Sequence, residues 1–114
     1  VTVSLSDGPA IIIGYEYRLQ IEAEADLFPA EAQLTGQLRS KVSVASVLAT
    51  LSTGNGGIRR VSVRTLELVI PPEVTASLMP GSAVLDMVRT DLTPPRHLSF
   101  LLEIPVVRPV TRGL

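Results

Sequence analysis

From Tyr15 to Ala25 the chain alternates without a break. Tyr15, Tyr17, Leu19, Ile21, Ala23 and Ala25 take one parity, and Glu16, Arg18, Gln20, Glu22 and Glu24 take the other. A strand sends successive side chains to opposite faces, so this run predicts one long strand with a buried face and a solvated one. The same signal recurs along the chain, no sustained helical periodicity accompanies it, and no cluster of residues suited to chemistry stands beside it.

The remaining elements follow from alternation and turn residues. Thr2 to Leu5 predicts a short strand closed by Ser6-Asp7-Gly8-Pro9, and Ala10 to Ile13 a second apolar run ended by Gly14, which marks a bulge or bend. Asp26 to Glu31, with Pro29, reads as a connection. Alternation resumes from Ala32 to Arg39. Val42 to Leu51 is apolar on both parities, which predicts a central strand covered on both faces, or a strand with a bulge. Gly54-Asn55-Gly56-Gly57 is the sharpest turn and is expected to join two antiparallel strands, because Gly and Asn accept positive φ. The following Ile58-Arg59-Arg60-Val61 lacks the Lys-Ser/Thr of a phosphate loop.

Ile58 to Ile70 alternates but changes parity near Thr65, which suggests a bulge or a strand that changes sheets. Pro71-Pro72-Glu73 ends it, and Pro72 to Leu78 suits one short helical turn, with proline at the first position and Glu73 at the positive end of the dipole. Further strands are expected from Ala83 to Leu92 and, after Thr93-Pro94-Pro95-Arg96, along the inward face Leu98, Phe100, Leu102, Ile104 and Val106. Seven or eight strands at short spacing predict an all-β fold, an antiparallel β-sandwich with at most one short helical turn. Its expected core includes Tyr17, Leu19, Ile21, Leu34, Leu38, Val63, Leu68, Leu85, Phe100 and Leu102. Residues 1–107 form the domain, and 108–114, with Pro109 and Gly113, a C-terminal tail.

Composition narrows the function classes. A chain of 114 residues supplies one domain with a core that needs no staples, and the absence of cysteine removes disulfides and thiolate sites. A net charge of −1 with mixed signs argues against nucleic-acid or anionic-membrane binding. No basic segment followed by an apolar stretch opens the chain, so a secretory signal is expected to be absent or already removed. Only two Phe and two Tyr, with no Trp, disfavour stacking on bases or sugars. Apolar content of 46% with few charges suits a domain that buries surface in an assembly, or a monomer with a generous core.

His97, the one histidine, lies at the start of a strand just after two prolines and reads as a solvent-facing turn residue without the carboxylate and nucleophile of a triad. Glu16, Glu22 and Glu24, and Asp86 and Asp91, lie on strands as solvated faces rather than as glycosidase pairs or calcium loops. The expectation is a chain without catalytic residues, metal or cofactor. Arg59, Arg60 and Arg64 form the one basic cluster, either guarding an edge strand or docking an acidic partner. Arg59, Arg60, Arg108 and Arg112 are the candidate interface residues.

Val61-Ser62-Val63 through Leu66-Glu67-Leu68, then Pro72 to Gly81 with its Thr75-Ala76 pair, then Val84-Leu85-Asp86-Met87, Leu101-Leu102-Glu103 and Val110-Thr111-Arg112 occur in an order that resembles a family of small immunoglobulin-like β domains in tailed-phage structural proteins. Leu38-Arg39-Ser40-Lys41 and Val47-Leu48-Ala49-Thr50 resemble that family's earlier strands. The resemblance, spanning Phe28 to Arg112, implies a non-enzymatic virion component: head decoration, connector, tail or baseplate. Such a component works through copies of itself and other virion proteins. The alternative is an immunoglobulin-like module that binds a protein or a glycan.

Overall fold

The structure, a computed structural model, describes residues 10–111 and the backbone of Val3–Leu5. It is an all-β sandwich. The elements are β1 (Val3–Leu5), β2 (Ile11–Ile12), β3 (Tyr17–Ala23), β4 (Leu34–Arg39), β5 (Ala49–Ser52), β6 (Ile58–Arg60), β7 (Thr65–Ile70), α1 (Pro72–Thr75), β8 (Gly81–Arg89) and β9 (Arg96–Val107). One sheet runs β1-β3-β7-β6 and the other β2-β9-β8-β4-β5. Every pairing is antiparallel except β2 with β9. This is the immunoglobulin strand order: A-B-E-D faces G-F-C, with β5 added beside β4 and the first strand divided between the sheets as β1 and β2. That division accounts for nine strands among the described residues where seven or eight are expected.

The sandwich closes on the inward parities. Tyr17, Leu19 and Ile21 of β3 and Leu66, Leu68 and Ile70 of β7 are buried from one side. Leu34 and Leu38 of β4, Leu85 and Met87 of β8, and Leu102 and Ile104 of β9 are buried from the other. Of the expected core, Val63 and Phe100 are only half-buried. Val63 sits in a turn, and Phe100 flanks a bulge. Phe28, expected in a connection, is fully buried.

Three local expectations are corrected. Val42 to Leu48 is not a strand: Val44 N–H donates to Lys41 O at 3.1 Å, and the Arg39 guanidinium donates to the carbonyls of Val44 and Ala45 and to Gln37 Oε1. Those bonds hold a loop, and only Ala49–Ser52 joins the sheet, at its edge. The glycine turn does not close a hairpin, because β5 and β6 belong to different sheets. The change of parity near Thr65 is itself a hairpin: Val61 N–H donates to Thr65 O at 2.9 Å and Thr65 N–H to Ser62 O at 3.3 Å. The proposed turn at Ser6 to Pro9 lies outside the described residues, as does Thr2.

Two of the edge strands are shielded by other parts of the chain. On β5 the Asn55 side chain donates to Thr50 O and accepts from Ser52 N–H, both at 2.9 Å, so an amide side chain occupies backbone groups that another strand would take. Gly56, at φ 81°, lets the turn bring Asn55 there. Beside β6, Arg60 Nε donates to Phe28 O at 2.7 Å, Phe28 N–H donates to Val63 O at 2.9 Å, and Arg64 pairs with Asp26 at 2.7 Å. The β3–β4 loop therefore lies across that edge.

The expected helical turn is α1. Its last residue, Thr75, is fully buried, and its hydroxyl donates to Tyr15 O at 2.8 Å while accepting from Gly14 N–H at 3.1 Å. The helix is thus pinned to the β2–β3 turn, where Gly14 holds φ 90°. Thr75→Val keeps the shape but strands a backbone donor and acceptor, and is expected to cost about 1–3 kcal/mol in urea unfolding. A loss below about 0.5 kcal/mol would show that water replaces the hydroxyl freely.

Candidate functional site

The two outer faces of the sandwich differ in character. On the four-stranded sheet, Arg18 bridges Glu16 at 2.9 Å and Glu67 at 3.1 Å, with Gln20, Glu22 and Arg59 on the same face. That face is solvated and charged. On the five-stranded sheet the outward row of β9 carries Leu101, Glu103, Pro105 and Val107, and that of β8 carries Val84, Asp86 and Val88. Leu101 is 56% exposed in mid-strand, and Val42 beside the sheet is 71% exposed. A groove of about 330 Å³ runs here between Gln37, Arg39, Val42, Val84, Asp86 and Leu101.

The register explains the polar groups of this face. Gln37, Asp86 and Leu101 form one cross-strand row, and Arg39, Val84 and Glu103 the next. The β8–β9 register shifts between Asp86 and Val88, with Ser99 at φ 64° in the bulge. His97 holds that bulge: its Nδ1 accepts from Ser99 N–H at 2.8 Å, which leaves the proton on Nε2 to donate to Asp86 Oδ2 at 2.7 Å. His97 therefore stands at the start of β9 just after the proline turn and faces solvent, as expected, with both ring nitrogens engaged. The proline turn before it, with a cis Thr93–Pro94 peptide, is as expected.

Of the arginine candidates, Arg59, Arg60 and Arg108 are described. Arg59 and Arg60 are neighbours on β6 and project to opposite sides. Arg59 sits across from Glu67 on the charged face and lines a second groove, of about 370 Å³, with Glu16, Asn55, Leu51, Val69 and Val74. Arg60 is committed to Phe28 O, in keeping with an edge guard. Arg108 is exposed just beyond β9. Arg112 lies outside the described residues. The segment after β9 stays with its own domain as far as Thr111, whose carbonyl accepts from Tyr15 Oη at 3.0 Å. Among the described residues no three His, Cys, Asp or Glu side chains group as metal ligands, and no helix is long and apolar enough to cross a membrane.

Sequence reasoning missed the apolar face and the Asp86–His97 pair. The signal for the face was present: once Ala83, Leu85 and Met87 point inward, Val84 and Val88 must point out, and inward Leu102 puts Leu101 outside. No spacing rule joins Asp86 to His97, because a bulge sets their register.

At one end of this sheet Arg89 and Asp91 pair at 2.6 Å, and Asp91 Oδ1 also accepts from Gln33 N–H at 3.2 Å. The Arg89 hydrogen bond first, then the Gln33 amide, hold the Asp91 carboxyl down to about 2, against an ordinary 3.8. A carboxyl depressed on folding contributes stability at neutral pH that is lost as pH falls from about 4 to about 2. Asp91→Asn is expected to lower the urea midpoint at pH 6 and to converge on the parent at pH 2. A constant gap between them would assign the effect to packing.

Comparison of the sequence with protein-family models gives no match, and comparison with curated proteins gives none.

Proposed function

We propose that this chain is a non-enzymatic structural component of a tailed-phage particle, working as a repeated copy through contacts with itself and neighbouring virion proteins. The observation that carries the self-assembly half is the contrast between the faces: one sheet carries the Glu16–Arg18–Glu67 ion pairs, and the other leaves Leu101 exposed in mid-strand, with half-buried Val84 and Val88 on β8 and exposed Val42 in the loop beside the sheet. A leucine left exposed in mid-sheet, with apolar neighbours set among polar groups, suits a docking face. The guarded β5 and β6 edges favour docking through a face over strand addition. The virion half rests on the motif order from Phe28 to Arg112.

Each half has its own test. Mass photometry and analytical ultracentrifugation of the purified chain are expected to give a defined oligomer; a stable monomer with glycan affinity would transfer the fold to the binding-module reading. Sequencing outward from the gene is expected to find head, portal or tail genes, and a neighbourhood without them overturns the virion assignment.

A further inference from the structure

We propose that the outer face of the five-stranded sheet is a self-complementary interface, and that two copies pack it face to face about a two-fold axis running along β8. This names the partner and surface of the self-assembly reading and rests on it.

The occupant follows from the charge pattern. β8 is the middle strand of the sheet, between β9 and β4. Arg39 on β4 and Glu103 on β9 flank Val84 in one cross-strand row, so they stand at equal distances on either side of β8. Rotation about an axis along β8 exchanges the two sides and keeps the row. Each Glu103 then faces the other copy's Arg39, and the contact occurs twice, as an isologous interface requires. Arg39 uses three of its five donors on Val44 O, Ala45 O and Gln37 Oε1, which fix the guanidinium in place and leave donors for a carboxylate. Val84 and Val88 lie on the axis against their own counterparts. Leu101 falls opposite the other copy's Gln37, at the groove that Val42 and Val84 line. Asp86 also lies near the axis, with its carboxylate turned to His97 of its own chain. An aligned packing of this kind is how sheets meet face to face.

The area is of the right order. The strands β2, β9, β8, β4 and β5 hold 2, 12, 9, 6 and 4 residues, which at a rise of about 3.3 Å and a spacing of about 4.8 Å make a face of about 520 Å², and the β4–β5 loop with Val42 extends it toward the roughly 800 Å² per partner of a stable complex.

The test is a charge exchange read by sedimentation equilibrium, with folding checked by circular dichroism. Glu103→Arg and Arg39→Glu are each expected to weaken dimerisation by about tenfold or more, since each sets like charges face to face. An equimolar mixture of the two variants restores both pairs at once and is expected to dimerise like the parent. Leu101→Arg, on an exposed side chain, gives an independent loss without involving the Arg39 loop. Three results overturn the inference. If the parent assembles and neither Leu101→Arg nor Glu103→Arg changes it, another surface is used, and the structural role stands. If the variants dissociate but mixing restores nothing, the two-fold along β8 is wrong. If the parent is monomeric at every concentration, the self-assembly reading fails with it.

Discussion

Phe28→Ala is expected to destabilise the protein by about 3–5 kcal/mol, as much as a large change in the centre of the core. Phe28 is fully buried although it belongs to no strand. Its backbone is held at both ends, by Val63 O accepting from its N–H and by Arg60 Nε donating to its carbonyl. The ring is therefore fixed in position, and truncation leaves a cavity that the chain cannot collapse into without breaking those bonds. The cavity term then adds to the lost transfer energy. The same change should loosen the Ala25–Ala32 loop from the β6 edge, so amide exchange at Ile58 and Arg60 is expected to quicken more than exchange on β8. A loss under about 1.5 kcal/mol, or uniform exchange, would mean the loop is not an anchor.

How far the fold could be read in advance depended on whether periodicity alone decided an element. β3 and β9 were legible, because each buries one face and solvates the other, and alternation records that directly. Their inward residues, from Tyr17 to Ile21 and from Leu98 to Val106, are buried as the pattern requires, with only Phe100 displaced by the bulge. The segment from Val42 to Leu48 was not legible. An apolar run on both parities describes a covered strand and a sticky loop equally well, and the choice is made by the Arg39 guanidinium, which captures two carbonyls of the segment. Thr75 shows the same limit for a polar residue. Its sequence context gives a helical turn, and only the tertiary fold brings Gly14 and Tyr15 within reach of its hydroxyl.

The candidate face was half legible for a related reason. Parity placed Val84, Val88 and Leu101 outside once their neighbours were inside, so its apolar character was in the sequence. Its polar geometry was not. Arg39 and Glu103 are brought into one row by two successive ladders, β4 with β8 and β8 with β9. The basic cluster divides between two sides, because adjacent residues on a strand project oppositely: Arg60 reaches Phe28 O, while Arg59 stays on the charged face.

Gly36→Val is expected to cost about 3 kcal/mol and Gly36→Ala about 1–3 kcal/mol, even though glycine is ordinarily the weakest residue inside a strand. Gly36 is buried at the centre of β4, on the inward parity between Leu34 and Leu38, where alternation asks for an apolar side chain. It pairs with Leu51 on one side and Met87 on the other, so the backbone there is held by two ladders. A Cβ at this position would lie 2.7 Å from Asp86 O and 3.3 Å from Leu85 Cδ1. The Leu85 side chain can turn aside. The Asp86 carbonyl cannot, because β8 is fixed between β4 and β9. The usual gain of roughly 0.5–1 kcal/mol from replacing a strand glycine by alanine is therefore outweighed. The strain would fall on Asp86, so the variant should also disturb the Asp86–His97 hydrogen bond on the outer face. The His97 side-chain resonances in an NMR spectrum are expected to shift in Gly36→Ala and to stay put in Thr75→Val, which acts at the β2–β3 turn, beside the end of β9 away from His97. If Gly36→Ala is as stable as the parent, β4 and β8 have room to part, and the close approach of the two strands is not what requires glycine.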